Sequence, residues 1–176
     1  MAKKFSDRYD NRKMRGFKWL KRAAVAAVVL FVLFWFVIGV SAVDGNSMCN
    51  TLQNGDILVY SRLNRQAGRG DVVALSLPSG EYYVKRVCAV AGDTVDIRDG
   101  ELYVNGEKET AGYVLGPTLA ESLSLTYPYV VEEGHVFVLG DNRPESVDSR
   151  YFGAVNLSQI TGVIKLRLGF FYLDLL

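Results

Sequence analysis

The sequence predicts a mainly β protein carried behind a single N-terminal membrane-spanning helix. Three observations predict it. Ala23 to Val43 is a 21-residue run without a charged side chain. Residues 1–22 hold nine Lys/Arg against two Asp, a balance of +7, whereas residues 44–176 hold eleven Lys/Arg against seventeen Asp/Glu, a balance of −6. Downstream of the apolar run the chain consists of short β-branched and aromatic segments punctuated by Gly, Asn and Asp, with no long stretch of helical periodicity.

The first element is the anchor. At about 1.5 Å per residue, a helix over 23–43 spans about 31 Å, the thickness of a bilayer's hydrocarbon core. Its cationic flank is N-terminal, so the positive-inside rule puts residues 1–22 in the cytoplasm as a basic tail and residues 44–176 outside the plasma membrane. A cleavable signal peptide is the competing reading, because Val40-Ser41-Ala42 has small residues at cleavage spacing. The apolar run exceeds the about 7–15 residues of a usual signal core, which favours a single-pass anchor. A charge split of this kind points to a lipid bilayer and not to nucleic acid.

The outer segment is long enough to bury a core of its own. Ile57–Tyr60, Val72–Leu75, Tyr82–Val90, Leu102–Val104 and Val136–Leu139 read as strands. Asp99-Gly100, set between Thr94–Ile97 and Glu101–Val104, is a two-residue hairpin signal, and Asn105-Gly106 marks a second turn. Residues 111–131, with Pro117 and Pro128, read as an excursion from the main sheet with no legible chemistry.

Several chemistries are excluded. The single histidine, His135, cannot form a metal site needing two. Cys49 and Cys88 are not a CxxC pair, and no glycine-rich phosphate loop precedes a helix, so no cofactor is expected. The two cysteines read as small apolar fillers, with a disulfide left open. His135 opens an apolar strand, where a structural histidine is commoner than a catalytic one. Three segments remain unusually rich in polar groups: 44–52, 82–93 and 140–153.

Strand alternation over Tyr82–Val87 puts Tyr83, Lys85 and Val87 on one face. A free lysine is less than about 0.1% neutral at pH 7. Burial can lower its pKa by about 3 units, and such an amine can act as a general base where histidine is absent. The plainer alternative is a lysine that snorkels to water, and spacing alone favours it.

Taken together, the three segments resemble the type I signal peptidases, membrane-bound Ser-Lys proteases of bacterial export. The family's SMxPT signature is matched by Ser47-Met48-Cys49-Asn50-Thr51, and VKRVxxxPGD by Val84-Lys85-Arg86-Val87 with Ala91-Gly92-Asp93. GDNRxxSxDSRxxG is matched at every fixed position from Gly140 to Gly153, and Arg69–Val73 also resembles a family segment. The four stand in the family's order behind the anchor.

The resemblance implies an outward-facing all-β catalytic domain that removes signal peptides from exported preproteins through an acyl-enzyme. Ser47 is then the nucleophile, Lys85 the general base, and Ser146 the hydroxyl that orients the lysine amine. A carboxylate touching Lys85 would hold it protonated, so Asp148 is expected to pair elsewhere, with Arg150 and Arg86 as its natural partners, and Asp141 and Asp148 are expected to act as structural supports that hold the two loops together. The Asp44-Gly45-Asn46 lead resembles Gram-positive-like members, whose oxyanion donors are mainly backbone, the Ser47 amide included. Small side chains are implied at the first and third positions before the cut. The export translocon is an implied neighbour. Asn50 and Ala91 stand where the family has proline, which loosens two turns by releasing φ. A self-cleaving Ser-Lys repressor lacks a membrane span, and the histidine-using branch lacks the Val84-Lys85-Arg86 pattern. The non-enzymatic alternative is an anchored β domain that binds export partners.

Overall fold

The computed structural model describes residues 2–63, 65–121, 125–169 and 173–175, with the side chains of residues 2–17, 173 and 174 left aside. The basic side chains of the tail before Lys18, and residues 122–124 of the excursion, lie outside that description. The chain divides into two units, Met1–Val37 and Ile38–Leu176.

The first unit is one helix, α1 (Ala2–Val37). Within it Lys18–Val37, 20 residues containing a window of mean hydropathy 2.2, is long and apolar enough to cross a membrane. The end of this helix corrects the sequence expectation. Helix was expected through Val43, but it stops at Val37, and Ile38–Ala42 is a strand. Hydropathy measures only apolarity, so an apolar helix followed in sequence by a partly buried strand reads as one long span.

The second unit is mainly β, as expected. Its strands are β1 (Ile38–Ala42), β2 (Ile57–Ser61), β3 (Val72–Ser76), β4 (Tyr82–Val90), β5 (Thr94–Arg98), β6 (Glu101–Val104), β7 (Glu107–Lys108), β8 (Tyr129–Val130), β9 (His135–Leu139), β10 (Val155–Asn156), β11 (Ile160–Leu168) and β12 (Leu173–Leu175). A one-turn helix, α2 (Ser149–Phe152), follows β9. The larger sheet runs β1-β2-β11-β3-β4-β9-β10, with β12 also on β11, and the smaller runs β7-β6-β5-β8. The named strand pairs are antiparallel. The hairpin at Asp99-Gly100 forms as predicted, both residues at positive φ and Arg98 facing Glu101. β11 is the main strand that the sequence analysis leaves unassigned. It lies between β2 and β3 and ties the two halves of the sheet together.

Three apolar clusters form the core. One gathers Val73, Leu75, Val87, Val138 and Val163 on one face of the large sheet. A second joins Ala89, Phe137 and Leu139 to the small sheet through Val95 and Leu102. The third, Val43, Met48, Leu52, Leu58, Val72, Ala74 and Ile164, roots the loop that carries Ser47. Burying Met48 and Leu52 contributes roughly 1.5–3 kcal/mol each and holds this loop down. The loop is thus fixed from below by its own apolar residues.

Candidate active site

Ser47 sits in the turn segment between β1 and β2, and Lys85 lies midway along β4. The fold brings them together: Lys85 Nζ donates to Ser47 Oγ at 2.7 Å. Lys85 is only 1% exposed. Tyr83 shares its strand face, with the amine 5.4 Å from the ring centroid. Snorkelling is therefore ruled out. Burial, the dominant influence, lowers the lysine pKa from 10.5 to about 8, opposed by Asp148 and Asp141 and assisted by Arg150. At that value about one molecule in ten carries the neutral amine at pH 7, roughly two- to threehundredfold more than for free lysine.

Neither carboxylate touches Lys85. Asp141 accepts from Arg86 Nε at 2.8 Å and Nη2 at 2.7 Å, and from the Thr51 hydroxyl. Arg86 also donates to Thr51 Oγ1 at 3.0 Å and to the Gly70 carbonyl at 2.8 Å, so the Ser47 loop, β4 and the 140–153 segment share one bonded cluster. Asp148 accepts from Arg150 Nε at 2.8 Å, from Nη2 at 3.0 Å and from the Gly140 amide at 3.1 Å. Both members of this second pair are fully buried. Removing one partner of such a pair leaves an uncompensated charge and costs about 3–5 kcal/mol.

Ser146 departs from what the resemblance implies. Its Oγ is buried and has no hydrogen-bond partner, so the expected bond to the Lys85 amine is not formed. The hydroxyl packs instead against the backbone at Gly140. A Cβ on Gly140 would meet Ser146 Oγ and Cβ and would come within 2.5 Å of the Ser47 carbonyl oxygen. Only glycine lets these segments approach so closely.

Beside Ser47 runs a cleft of about 310 Å³, with Ser41–Gly45 on one side and Tyr82–Val84 on the other, and with Met48, Tyr60, Ala74 and Thr161 also lining it. β1 ends the sheet order, and β9 pairs with β4 only from Arg86 onward. The cleft therefore has a free strand edge on each side, the geometry for holding an extended peptide by its main chain. The lining is mostly small or apolar.

The family model of signal peptidase, peptidase S26, matches residues 16–169. The chain belongs to the S26 signal peptidase family. Signal peptidase I of Bacillus caldolyticus is 37% identical over 170 residues, covering 89% of this chain and 92% of that protein. Signal peptidase IB of Staphylococcus aureus strain Mu50 is 33% identical over 167 residues, covering 85% and 87%. A crystal structure of a signal peptidase I from Enterococcus faecalis V583 shares 37% identity, with a TM-score of 0.48, and covers 56% of this chain and 96% of that one.

This S26 member also builds Asn142, which the sequence reading assigns to turn geometry, Arg143, Glu109 and Thr118 into the site's hydrogen-bond network. Asn142 donates its amide to the Ser47 carbonyl at 3.0 Å and its Nδ2 to the Asn46 carbonyl at 3.1 Å. Arg143 donates Nε to the Gly140 carbonyl at 3.0 Å and pairs with Glu109 at 2.5 Å and Thr118 at 2.5 Å. Asn142 and Arg143 lie inside the GDNR run and were accessible to reading. Glu109 and Thr118 carry no sequence signal. His135 lies elsewhere, contacting the Glu133 carbonyl at 3.0 Å. Cys49 and Cys88 are free thiols, and burial pushes the Cys88 thiol up to about 12, so it is inert.

Proposed function

We propose that this protein removes N-terminal signal peptides from exported preproteins, with Ser47 as nucleophile and Lys85 as general base. The observation that carries the proposal is the 2.7 Å contact between a hydroxyl and a lysine amine that is shut away from water. Neutral Lys85 takes the Ser47 proton as Oγ adds to the carbonyl carbon before the cut. The Ser47 amide, which donates to no acceptor among the described residues, stabilises the oxyanion. Lys85 then returns the proton to the departing amine, leaving an ester on Ser47. The Lys85 amine next takes a proton from water, the hydroxide adds to the ester carbonyl, and the acyl–Oγ bond breaks to release the signal peptide's carboxyl end as Lys85 returns the proton to Ser47 Oγ.

Once Oγ is acylated, Lys85 loses its hydroxyl partner. Ser146 holds a buried, unsatisfied hydroxyl beside the Ser47 peptide and is assigned the orientation of the amine at that stage. Asp141, Asp148, Arg86 and Arg150 hold the segments without quenching the base. The chain works as a single-pass protein of the plasma membrane, residues 1–22 inside and the β unit outside, where preproteins leave the translocon. The +7 balance of the tail supports this orientation.

The test is incubation of the detergent-solubilised protein with a preprotein, followed by sequencing of the new N-terminus. Cleavage directly after a small residue, abolished in Ser47→Ala, is expected. An intact preprotein, or cleavage that persists in Ser47→Ala, refutes the assignment.

A further inference from the structure

Tyr60 lines the cleft, and the sheet holds it there. It pairs with Gly39 of β1 on one side and with Ile164 of β11 on the other. A Cβ on Gly39 would overlap the Tyr60 ring, and so would one on Gly162 of β11. The ring therefore lies against two strands at the points where both lack side chains, a packing that leaves it little freedom. Cross-strand pairs place Val84 opposite Ala74 and Ala74 opposite Gly162. Along this row the surface passes from valine to alanine to the tyrosine ring, so the ring supplies the bulk. The neighbouring Thr161 hydroxyl is already committed to the Ala74 carbonyl at 2.8 Å.

The direction of the chain separates this row from the reaction centre. Moving back from Ser47 through Val43 and Ala42 leads along β1 towards Gly39, the residue opposite Tyr60. In an extended peptide, side chains on the same side recur about 6.8 Å apart. A peptide with its first residue before the cut at Ser47 and Met48 directs its third towards Ala74 and Tyr60. Resting on the peptidase reading above, we propose that Tyr60 sets the size limit for the third residue before the scissile bond, making it a specificity-determining residue of this chain. Because Gly39 and Gly162 present no side chains beneath the ring, removing it opens space that nothing else fills.

The experiment uses the full-length, detergent-solubilised protein and peptides spanning a cleavage site. They carry Ala, Leu or Phe at the third position before the cut and, in a separate set, at the first. In Tyr60→Ala the Phe-to-Ala rate ratio at the third position is expected to rise about tenfold or more, the scale at which pocket volume discriminates. The ratio at the first position is expected to stay put, and Tyr60→Phe, which keeps the ring, is expected to match the wild type. A folded Tyr60→Ala protein with an unmoved third-position ratio, or with a change confined to the first position, overturns the proposal. If Tyr60→Ala does not fold, Tyr60→Leu gives the same reading with a smaller rise of about threefold, and an unmoved ratio there is equally fatal. A wild type that cuts none of the peptides removes the peptidase reading and this proposal together. A wild type that cuts, with ratios indifferent to Tyr60, removes this proposal alone.

Discussion

Asn142 grips the peptide of Ser47: its amide donates to the Ser47 carbonyl at 3.0 Å, while its Nδ2 reaches the carbonyl of Asn46 at 3.1 Å. The backbone of Ser47 is thereby tied to the segment that begins at the end of β9. Asn142→Ala keeps the main-chain bond and loses the side-chain one, costing about 1 kcal/mol of stability. A small shift of Ser47 weighs more heavily on the rate. We expect kcat to fall about ten- to a hundredfold with KM little changed. The pH profile should not move, because Lys85 is untouched. Steady-state kinetics across pH check this, and a displaced pH profile contradicts a purely positioning role.

The two positions where the family has proline behave oppositely. Asn50 has φ of 90°, which proline cannot adopt, so its side chain does more than loosen a turn. Ala91 precedes Gly92, whose φ is 86°, in a turn closed by the Asp93 amide on the Val90 carbonyl at 3.0 Å. That is a type II turn, with Ala91 where proline is favoured. Ala91→Pro should therefore stabilise the protein by about 0.4–1 kcal/mol, and Asn50→Pro should destabilise it by more than that. Urea titrations decide it, and two substitutions of the same sign would contradict these backbone assignments.

Burial of Lys85 has a signature in stability as well as in rate. Lowering its pKa from 10.5 to about 8 corresponds to a bias of about 3 kcal/mol against the folded ammonium. Between those pH values the unfolded chain keeps a proton that the folded chain has released, so this residue makes the protein more stable as pH rises through the window. Lys85→Met does not titrate. Its stability relative to the wild type should be highest below pH 8 and should decline by up to about 3 kcal/mol towards pH 10.5. Urea titrations of both proteins across this range test the point. A difference that stays constant with pH means that Lys85 is not depressed.

Much of the architecture was legible in the sequence because the β unit obeys local rules. Tyr82–Val90 forms a strand, Asp99-Gly100 closes a two-residue hairpin, and both survive as read. The end of the helix was not legible, since Ile38–Ala42 is as free of charge as the helix end it follows and only pairing with β2 makes it a strand. β11 was hidden for a related reason. Gly162, Lys165 and Arg167 interrupt its hydrophobic pattern, yet Gly162 is needed beneath Tyr60 and Arg167 donates to Asp56 at 2.7 Å. At the site, the motifs named Ser47, Lys85 and four charged residues that the fold brings into bonded contacts, Lys85 with Ser47, Arg86 with Asp141 and Arg150 with Asp148. They could not locate Glu109 and Thr118, which reach Arg143 from segments distant in sequence. Nor could spacing reveal that the Ser146 hydroxyl is buried without a partner.

The central claim is that Lys85 acts as the base for Ser47, and the most direct measurement is the cleavage rate of a preprotein by folded Lys85→Met and Lys85→Arg across pH. Methionine keeps the apolar stem without the amine, and arginine keeps the charge but effectively never deprotonates. Both should lose at least about 10²–10⁴-fold. Lys108→Arg, whose lysine is half-exposed and pairs with Glu101 at 3.0 Å, should cleave like the wild type. The wild-type rate should rise with pH through about 8. Wild-type cleavage by folded Lys85→Met would contradict the account, because Ser47 would then be activated by some group other than the lysine beside it.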